Sequence, residues 1–331
     1  MTKKKKTEPE AQPPRLILFS PAGVVAQPVA VRRAAKRLAA HGYAVSIDEA
    51  ALVRQQRFAG DDDTRLAALH RIAKEGAQGR CSIAMATRGG YGLTRLLDRI
   101  DWKLMAKSVA GGLRWVGYSD MTALQLAALT HGAGGDERAP HGHGVQGDWW
   151  AGPLAIDDFG RTQEQGGVDD VTEACFLEAM HGELEAVGFR TDNGFDGLDV
   201  SGRLWGGNLC VLASLLGTPH FPKPKQVRGG ILFLEDVNEH PYRVERSLLQ
   251  LHQAGVLDAQ KAVLLGAFTD WRKSPLDRGY TLKTAIAHLR SVTTTPILTG
   301  LPLGHIRTHV SLPHGRRATL AVQGRDAFLG W

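Results

Sequence analysis

The segment RWVGYSDMTALQLAAL (Arg114–Leu129) contains a short apolar run, a turn and a longer apolar helical pattern. The run RWVGYS predicts a strand, and MTALQLAALTHG predicts a helix that starts directly after Ser119 and Asp120. A serine at a helix start is commonly a cap, because its hydroxyl accepts an otherwise free backbone N–H. At a strand–turn–helix junction it can also be a nucleophile, although Met121 replaces the second glycine of the G-x-S-x-G pattern. The local sequence leaves both functions open.

The same succession of strand, turn and helix fills the first half of the chain. Before Arg114 the apolar patterns predict a strand at 15–23, a helix at 28–42, a strand at 43–48, a helix at 61–76, a strand at 81–87 and a helix at 93–101. Alternation at this spacing is typical of a parallel sheet covered by helices, in which sites lie at the carboxyl ends of the strands. The turns after Phe19, Thr87 and Tyr118 are therefore expected at one edge of the sheet.

The periodic pattern is lost between about 132 and 171, where Gly, Asp and His are abundant, and it resumes as a mixture of strands and helices. We predict a helix at 169–182, strands within 184–204, a turn and helix at 204–217, a strand at 229–237, a helix at 241–255, a strand at 262–270, a helix at 280–292, a strand and turn at 295–305 and a hairpin at 310–322. The expected organisation is a disordered tail (1–14), an N-terminal parallel-sheet domain (15–140), a linker loop (141–171) and a mixed α/β C-terminal domain (172–331).

The overall composition argues against several classes of protein. With 43% apolar and 22% charged residues, the chain is of ordinary globular type, and no apolar run approaches the ~20 residues of a membrane helix. No apolar region follows the first lysines, so a secretory signal is not expected. The net charge of +6 without a Lys/Arg stripe argues against a nucleic-acid partner but suits an anionic small substrate. The three cysteines form no CxxC pair, so the cytoplasm is the expected compartment.

A nucleophilic serine needs a base, and two residues at other strand ends are candidate partners. His305 ends LTGLPLGH at a strand-to-turn junction, where a histidine can serve as the base or can bond a nearby carbonyl. Glu235 ends the apolar run GILFLE, where a buried acid is costly unless it is paired or used. It either orients the histidine or forms a salt bridge with Arg243 or Arg246. Because the chain has 13 histidines, a lone histidine is not diagnostic.

The segment ATRGGYG (86–92) can supply backbone N–H groups to an oxyanion or to a phosphate. It lacks the GK[ST] ending of a P-loop and the full GxGxxG fingerprint, so a nucleotide cofactor is not expected. The HGHG stretch at 141–144 and nearby His131 are candidate metal ligands, but there is no HExxH motif, and the cysteines do not cluster with histidines. A glycine-rich surface loop explains these histidines better, and no metal is expected.

Together these stretches resemble the LD-carboxypeptidase family, muramoyl-tetrapeptide carboxypeptidases of the serine-peptidase type. The resemblance runs from about residue 15 to the C-terminus, and it rests on a set of segments in a fixed order. The segments are SPAG (20–23), RFAGDDDTRLAAL (57–69), RGGYGLTRLLDRID (88–101), VGYSDMTALQLA (116–127), LWGGNLCVLASLLGTP (204–219), ILFLEDVNEHPYRVERSLLQL (231–251) and PLGH (302–305).

The resemblance implies an N-terminal domain similar to the class I glutamine amidotransferases and a catalytic triad of Ser119, Glu235 and His305. It implies that the backbone N–H groups of Asp120 and of Gly90, in the RGG turn, hold the oxyanion. The implied reaction hydrolyses the L,D-peptide bond before the terminal D-alanine of a murein tetrapeptide, which is free, sugar-linked or UDP-linked. The family also implies a homodimer and a cytoplasmic role in cell-wall recycling, with no metal and no cofactor.

Three further residues are candidates for substrate contacts. Arg88 borders the glycine turn and either binds the terminal carboxylate of the substrate or pairs with Asp98 or another local acid. Trp149 and Trp150, on the predicted linker, either cover a substrate or anchor the linker to the domains. Two other functions stay open: a microcin C immunity-like serine hydrolase of aminoacyl-nucleotide analogues, from the same superfamily, and a non-catalytic muropeptide-binding protein.

Overall fold

The computed structural model describes residues 12–135 and 148–331. Strands and α-helices alternate in the first range and are mixed less regularly in the second. The strands are β1 (Arg15–Phe19), β2 (Ala44–Ile47), β3 (Ile83–Ala86), β4 (Arg114–Val116), β5 (Trp149–Ala151), β6 (Ala186–Arg190), β7 (Asp199–Asn208), β8 (Ile231–Val237), β9 (Ala262–Thr269), β10 (Ile297–Thr299), β11 (Leu312–His314), β12 (Arg317–Gln323) and β13 (Asp326–Gly330). The α-helices are α1 (Pro28–Ala40), α2 (Asp62–Ala77), α3 (Trp102–Ala110), α4 (Met121–Thr130), α5 (Asp170–His181), α6 (Leu209–Leu215), α7 (Pro224–Val227), α8 (Pro241–Gln253) and α9 (Leu282–Val292).

The first sheet has six strands in the order β11-β5-β4-β3-β1-β2. β1 to β5 run parallel, and β11 pairs antiparallel with β5. Both faces of β3 are covered, because Ile83 and Met85 belong to one hydrophobic cluster and Ala84 and Ala86 belong to the other. The predicted parallel sheet is confirmed.

The second sheet has seven strands in the order β10-β9-β8-β7-β12-β13-β6. β7 to β10 are parallel, whereas β12, β13 and β6 pair antiparallel. The apolar run Ile231–Leu234 of β8 is completely buried, and Glu235 and Asp236 follow it at the carboxyl end of the strand. The second half is therefore mixed α/β, as the sequence predicts.

Helix α4 lies between the two halves of the molecule. It contacts α6 and β7 of the second half as well as α3 of the first. Every residue from Met121 to Leu129 is buried, because α4 has neighbours on all sides and needs no polar face. Ser119, just before this helix, is therefore placed at the junction of the two halves. In the described part of the chain, each helix is too short or too polar to span a lipid bilayer.

Two predicted elements have a different form in the structure. The segment 93–101 contains two 3₁₀ turns, Leu93–Arg95 and Leu97–Arg99, rather than one helix. The helix begins later, at α3, because the Asp101 carboxylate accepts the Leu104 N–H at 3.0 Å and so caps a new start. The predicted hairpin at 310–322 is wrong: β11 joins the first sheet, β12 joins the second, and Gly315 with φ +92° separates them. The hairpin is formed instead by β12 and β13.

The predicted linker at 141–171 contains regular structure, and this corrects the interpretation of its tryptophans. Trp149 and Trp150 form β5, where they are 0% and 2% exposed, and the Trp149 ring stacks on Trp115 at 5.4 Å. They are core residues that anchor the segment, so the expectation that they cover a substrate is wrong. A π-helical turn follows at Ala155–Phe159. Residues 1–11 of the predicted tail (1–14) and the HGHG stretch (141–144) lie outside the described residues.

Candidate active site

Ser119 occupies a sharp turn between β4 and α4. Its φ is +64°, a left-handed conformation that costs a non-glycine residue about 1–2 kcal/mol. Gly117 two residues earlier has φ +157°, and a Cβ there would lie 2.8 Å from Met121 Cγ, so the turn closes tightly on the helix. Instead of capping α4, the Ser119 hydroxyl lies 3.1 Å from His305 Nε2. A strained serine presented in this way is typical of a nucleophile elbow.

The three residues of the predicted triad form a continuous hydrogen-bonded chain. His305 Nδ1 lies 2.9 Å from Glu235 Oε2, and His305 Nε2 lies 3.1 Å from Ser119 Oγ. An ionised carboxylate only accepts, so Nδ1 carries the proton and Nε2 is free to accept the serine hydroxyl proton. The alternative, a salt bridge to Arg243 or Arg246, does not apply, because the two Glu235 oxygens face His305 and Asn208. Arg243 instead lies 3.8 Å from Glu239.

The surroundings of His305 set its protonation. Burial disfavours the imidazolium, but the hydrogen bond and charge of Glu235, aided by Asp157 and Asp236, outweigh burial and raise the pKa of His305 above its ordinary value. Glu235 is only 1% exposed, so its charge is little screened by water. A base with a raised pKa takes up the serine proton more readily, provided that the pH leaves it neutral.

The glycine-rich turn after β3 packs directly against the serine. A Cβ on Gly89 would lie 2.5 Å from Ser119 Oγ, so only glycine fits beside the nucleophile. Gly90 has φ +113° and lines the same cleft as Ser119 and Asp120. The Asp120 carboxylate accepts the Leu93 N–H at 2.9 Å and thereby ties the glycine turn to the elbow. Burial raises the pKa of Asp120 to about 6.

A second buried pair supports the loop that carries His305. His309 Nε2 lies 3.0 Å from Asp158 Oδ1, on the π-helical turn, and neither side chain is more than 7% exposed. The Tyr118 ring packs between the two histidines, with its centroid 4.9 Å from that of His305 and 5.2 Å from that of His309. Burial raises the pKa of Tyr118 well above its ordinary value, so the phenol stays neutral beside His305.

Two structural residues of this edge were not identified from the sequence. Gly89 directly precedes the predicted Gly90. The RGG turn contains two consecutive glycines, and the sequence does not show which one packs against the serine. Arg65 is fully buried and donates to the carbonyls of Pro21 (3.1 Å) and Gly92 (2.9 Å), so it links the turn after β1 to the turn after β3. An arginine on an amphipathic helix is usually solvated, and its burial here depends on tertiary contacts.

A cleft of about 940 Å³ opens beside Ser119 and is bordered by both halves of the molecule. Arg57 lines it, with its guanidinium 5.7 Å from the centroid of the Tyr91 ring. Arg88 is half-buried, and its Nη1 donates to the Val24 carbonyl at 3.0 Å. Asp98, the suggested partner of Arg88, instead lies 2.9 Å from His220 Nε2.

Within residues 12–135 and 148–331, no three His, Cys, Asp or Glu side chains are grouped so that they could hold a metal ion. His131, one of the candidate ligands, stacks on Trp102 at 4.9 Å and lies 3.0 Å from His220.

Comparison with protein families agrees with this geometry. The model of the LD-carboxypeptidase N-terminal domain matches residues 17–134, which include Ser119, and that of the C-terminal domain matches residues 201–320, which include Glu235 and His305. The chain belongs to the LD-carboxypeptidase family. It is accordingly a serine-type LD-carboxypeptidase, and the family resemblance of the sequence is confirmed.

Individual relatives of this LD-carboxypeptidase match over nearly the whole chain. It is 30% identical over 311 residues to a murein tetrapeptide carboxypeptidase of Pseudomonas aeruginosa, with 92% of each chain covered. A crystal structure of muramoyltetrapeptide carboxypeptidase from Oxalobacter formigenes is 37% identical, with a TM-score of 0.81 and coverage of 95% of this chain and 97% of that one. MccF in complex with glutamyl sulfamoyl guanosine gives a TM-score of 0.80 over 98% of this chain and 97% of its own, but at 19% identity only the fold is shared.

Proposed function

We propose that this enzyme hydrolyses the L,D-peptide bond before the terminal D-alanine of murein tetrapeptides through an acyl-enzyme on Ser119. The observation that carries the proposal is the unbroken chain from Ser119 Oγ through His305 to Glu235, with links of 3.1 and 2.9 Å. The names of the relatives from Pseudomonas aeruginosa and Oxalobacter formigenes support the choice of substrate.

The proposed mechanism assigns one step to each group. His305 Nε2 takes the proton of Ser119 as Oγ attacks the carbonyl carbon, and Glu235 stabilises the imidazolium that forms. The backbone N–H groups of Asp120 and Gly90 hold the oxyanion, and each such donor typically contributes ~10²–10³ in rate. The C–N bond then breaks, His305 gives its proton to the amine of D-alanine, and water hydrolyses the ester with His305 again as the base.

The nucleophile and its two partners come from different parts of the chain, so we propose that the site lies between two domains. Ser119 follows β4 of the first sheet, whereas Glu235 ends β8 of the second. The first sheet extends beyond the predicted 15–140 segment, because it includes β5 and β11. An assembled site at such a junction is sensitive to how the two halves pack.

A carboxypeptidase must bind the free carboxylate of its substrate, and two arginines are candidates. Arg88 is the residue predicted from the sequence, but its Nη1 already donates to a backbone carbonyl. Arg57 is the only arginine or lysine among the described residues that line the cleft beside Ser119. We infer that Arg57 makes the main contact and that Arg88 contributes less.

The carboxylate contact is tested with a tetrapeptide acid and its C-terminal amide. Wild type is expected to prefer the acid, and Arg57→Met is expected to lose that preference because the cation is gone. Arg88→Met tests the second candidate, and Arg54→Met is the control, since Arg54 donates to the Ala26 carbonyl outside the cleft lining. An unchanged acid-to-amide ratio of kcat/KM in Arg57→Met, or a larger loss of that preference in Arg88→Met, would contradict the inference.

The substrate class is tested with a small panel of compounds. We expect D-alanine release from free, sugar-linked or UDP-linked murein tetrapeptide, and little hydrolysis of an aspartyl-adenylate analogue. The opposite preference would favour the immunity-like function, and binding without turnover would favour the muropeptide-binding protein. The family membership alone does not choose among these outcomes, because MccF shares the fold.

The compartment and the assembly are proposed with the substrate. All three cysteines are free, which suits a reducing compartment, and we place the enzyme in cytoplasmic cell-wall recycling. The homodimer implied by the family resemblance stays a prediction, which sedimentation velocity tests by the mass of the particle.

A further inference from the structure

Asn208, the last residue of β7, makes contacts with two neighbouring carboxylates. Its Nδ2 lies 3.2 Å from Glu235 Oε1 and 3.0 Å from Asp236 Oδ1, so each of the two amide hydrogens has its own acceptor. Its Oδ1 accepts the Val211 N–H at 3.1 Å and caps α6. A flipped amide would place Oδ1 against two carboxylates, so these contacts fix the orientation of the side chain.

The two carboxylates that share the Asn208 amide are both buried, and Asp236 also accepts the Cys210 and Val237 N–H groups at 2.8 Å. Glu235 is 1% exposed and Asp236 is 3% exposed. Consecutive strand residues normally face opposite sides, but the pairing of β8 with β9 shifts register between Leu234 and Asp236, which coincides with both acids meeting Asn208. Burial, and to a lesser extent the charge of Glu235, raises the pKa of Asp236 to about 6.

Glu235 divides its two oxygens between the base and the amide. Oε2 faces His305 Nδ1 at 2.9 Å, and Oε1 faces Asn208 Nδ2. Without the amide, Oε1 of Glu235 would have no other donor among the described residues. Asn208 thus fixes the rotation of the carboxylate that orients His305.

Asn208 also contacts the helix that follows the nucleophile. Its backbone N–H donates to Thr122 Oγ1 at 2.9 Å, and Thr122 lies in the first turn of α4, just after Ser119. β7 and α4 are in close contact here, because a Cβ on Gly207 would lie 2.3 Å from Thr122 Oγ1. One residue therefore holds the acid of the triad and also touches the element that presents the serine.

We propose that Asn208 is a positioning residue that keeps the Glu235 carboxylate directed at His305. The proposal rests on the Ser119–His305–Glu235 mechanism. Asn208 borders the cleft, but both of its amide hydrogens are already bonded within the protein, so its role is support of Glu235 rather than recognition of substrate.

Asn208→Asp separates positioning from helix capping. Aspartate keeps the size and the capping oxygen for Val211, but it replaces two N–H donors with a third carboxylate. The cluster of three acids must then bind a proton, which is lost as the pH rises. We expect a new alkaline decline of kcat that wild type lacks, with a loss of roughly 10- to 100-fold at high pH.

Other titratable groups interact with Glu235 and Asp236 and must be considered when the kcat–pH profiles are interpreted. They are Tyr118, Cys210 and His305, together with Glu239 beside Cys210 and Asp157 beside His305. The pKa values of Tyr118 and Cys210 are raised, mainly by burial, so they stay neutral in the range where the cluster titrates. His305 produces the acid limb in every variant, so only the alkaline decline reports on position 208.

Asn208→Ser is the second variant, because serine caps α6 but cannot bridge both carboxylates. It is expected to lose a similar factor in kcat without the alkaline decline. The readouts are D-alanine release and the rate at which a fluorophosphonate labels Ser119, which needs the triad but not the murein substrate. Wild-type profiles in both variants would overturn the proposal. Failure of wild type to release D-alanine while it is still labelled would overturn only the proposed substrate.

Discussion

Replacing Gly89 with alanine is predicted to disable Ser119 while the fold stays intact. The added Cβ would lie 2.5 Å from Ser119 Oγ and 2.7 Å from its Cβ, where ordinary contacts are ~3.5–4 Å. Gly89 does not have a positive φ, so the cost is the collision itself. Relief requires the serine side chain to move by about 1 Å, and a misplacement of that size costs on the order of 10²-fold in rate.

The assay is kcat for D-alanine release, with fluorophosphonate labelling of Ser119 as a measurement independent of substrate. Gly188→Ala in β6 is the matched control, since a Cβ there would lie 3.7 Å from Phe328, an ordinary contact. Both variants are expected to melt near the wild-type temperature. Wild-type turnover by Gly89→Ala would show that the Ser119 hydroxyl does not lie where the structure places it, and the reasoning would be refuted.

Three further predictions concern the residues around the site. Glu235→Gln should lower the pKa of His305, which its charge now raises, so the acid limb of the kcat–pH profile moves to lower pH while kcat falls by about 10³–10⁴-fold; an unmoved limb would contradict the pairing. Arg65→Met should cost about 3 kcal/mol and lower the melting temperature, because two turn carbonyls lose their buried donor. Trp149→Phe should leave KM unchanged and reduce stability, since the ring lies in the core; a raised KM would restore a substrate role.

Much of the first sheet is predictable because its signals are local. Apolar runs such as Ile83–Ala86 and a capped helix such as α2 carry their own pattern. The places of β5 and β11 in the first sheet are not predictable in this way, because the partner of a three-residue strand depends on contacts between distant parts of the chain. Pro313 would even argue against a strand, but β11 is at the edge of the sheet, where a missing N–H is tolerated.

The candidate site likewise contains some residues that local sequence patterns reveal and others that depend on long-range contacts. Ser119, Glu235 and His305 each follow an apolar run, and polar residues at strand ends of a parallel sheet are visible in a sequence. The roles of Gly89 and Asn208 depend on contacts between segments far apart in the chain, so no local pattern reveals them. The burial of Trp149 is hidden for the same reason: it follows a stretch rich in Gly, Asp and His, whereas its neighbour in space is the distant Trp115.

The central claim is that Ser119 attacks the bond before the terminal D-alanine. The most direct measurement is the rate of D-alanine release from a free murein tetrapeptide by wild type and by Ser119→Ala under the same conditions. We predict steady release by wild type and a loss of at least about 10⁴-fold in the variant, because removing the nucleophile disables the whole triad. Equal rates for the two proteins would contradict the account.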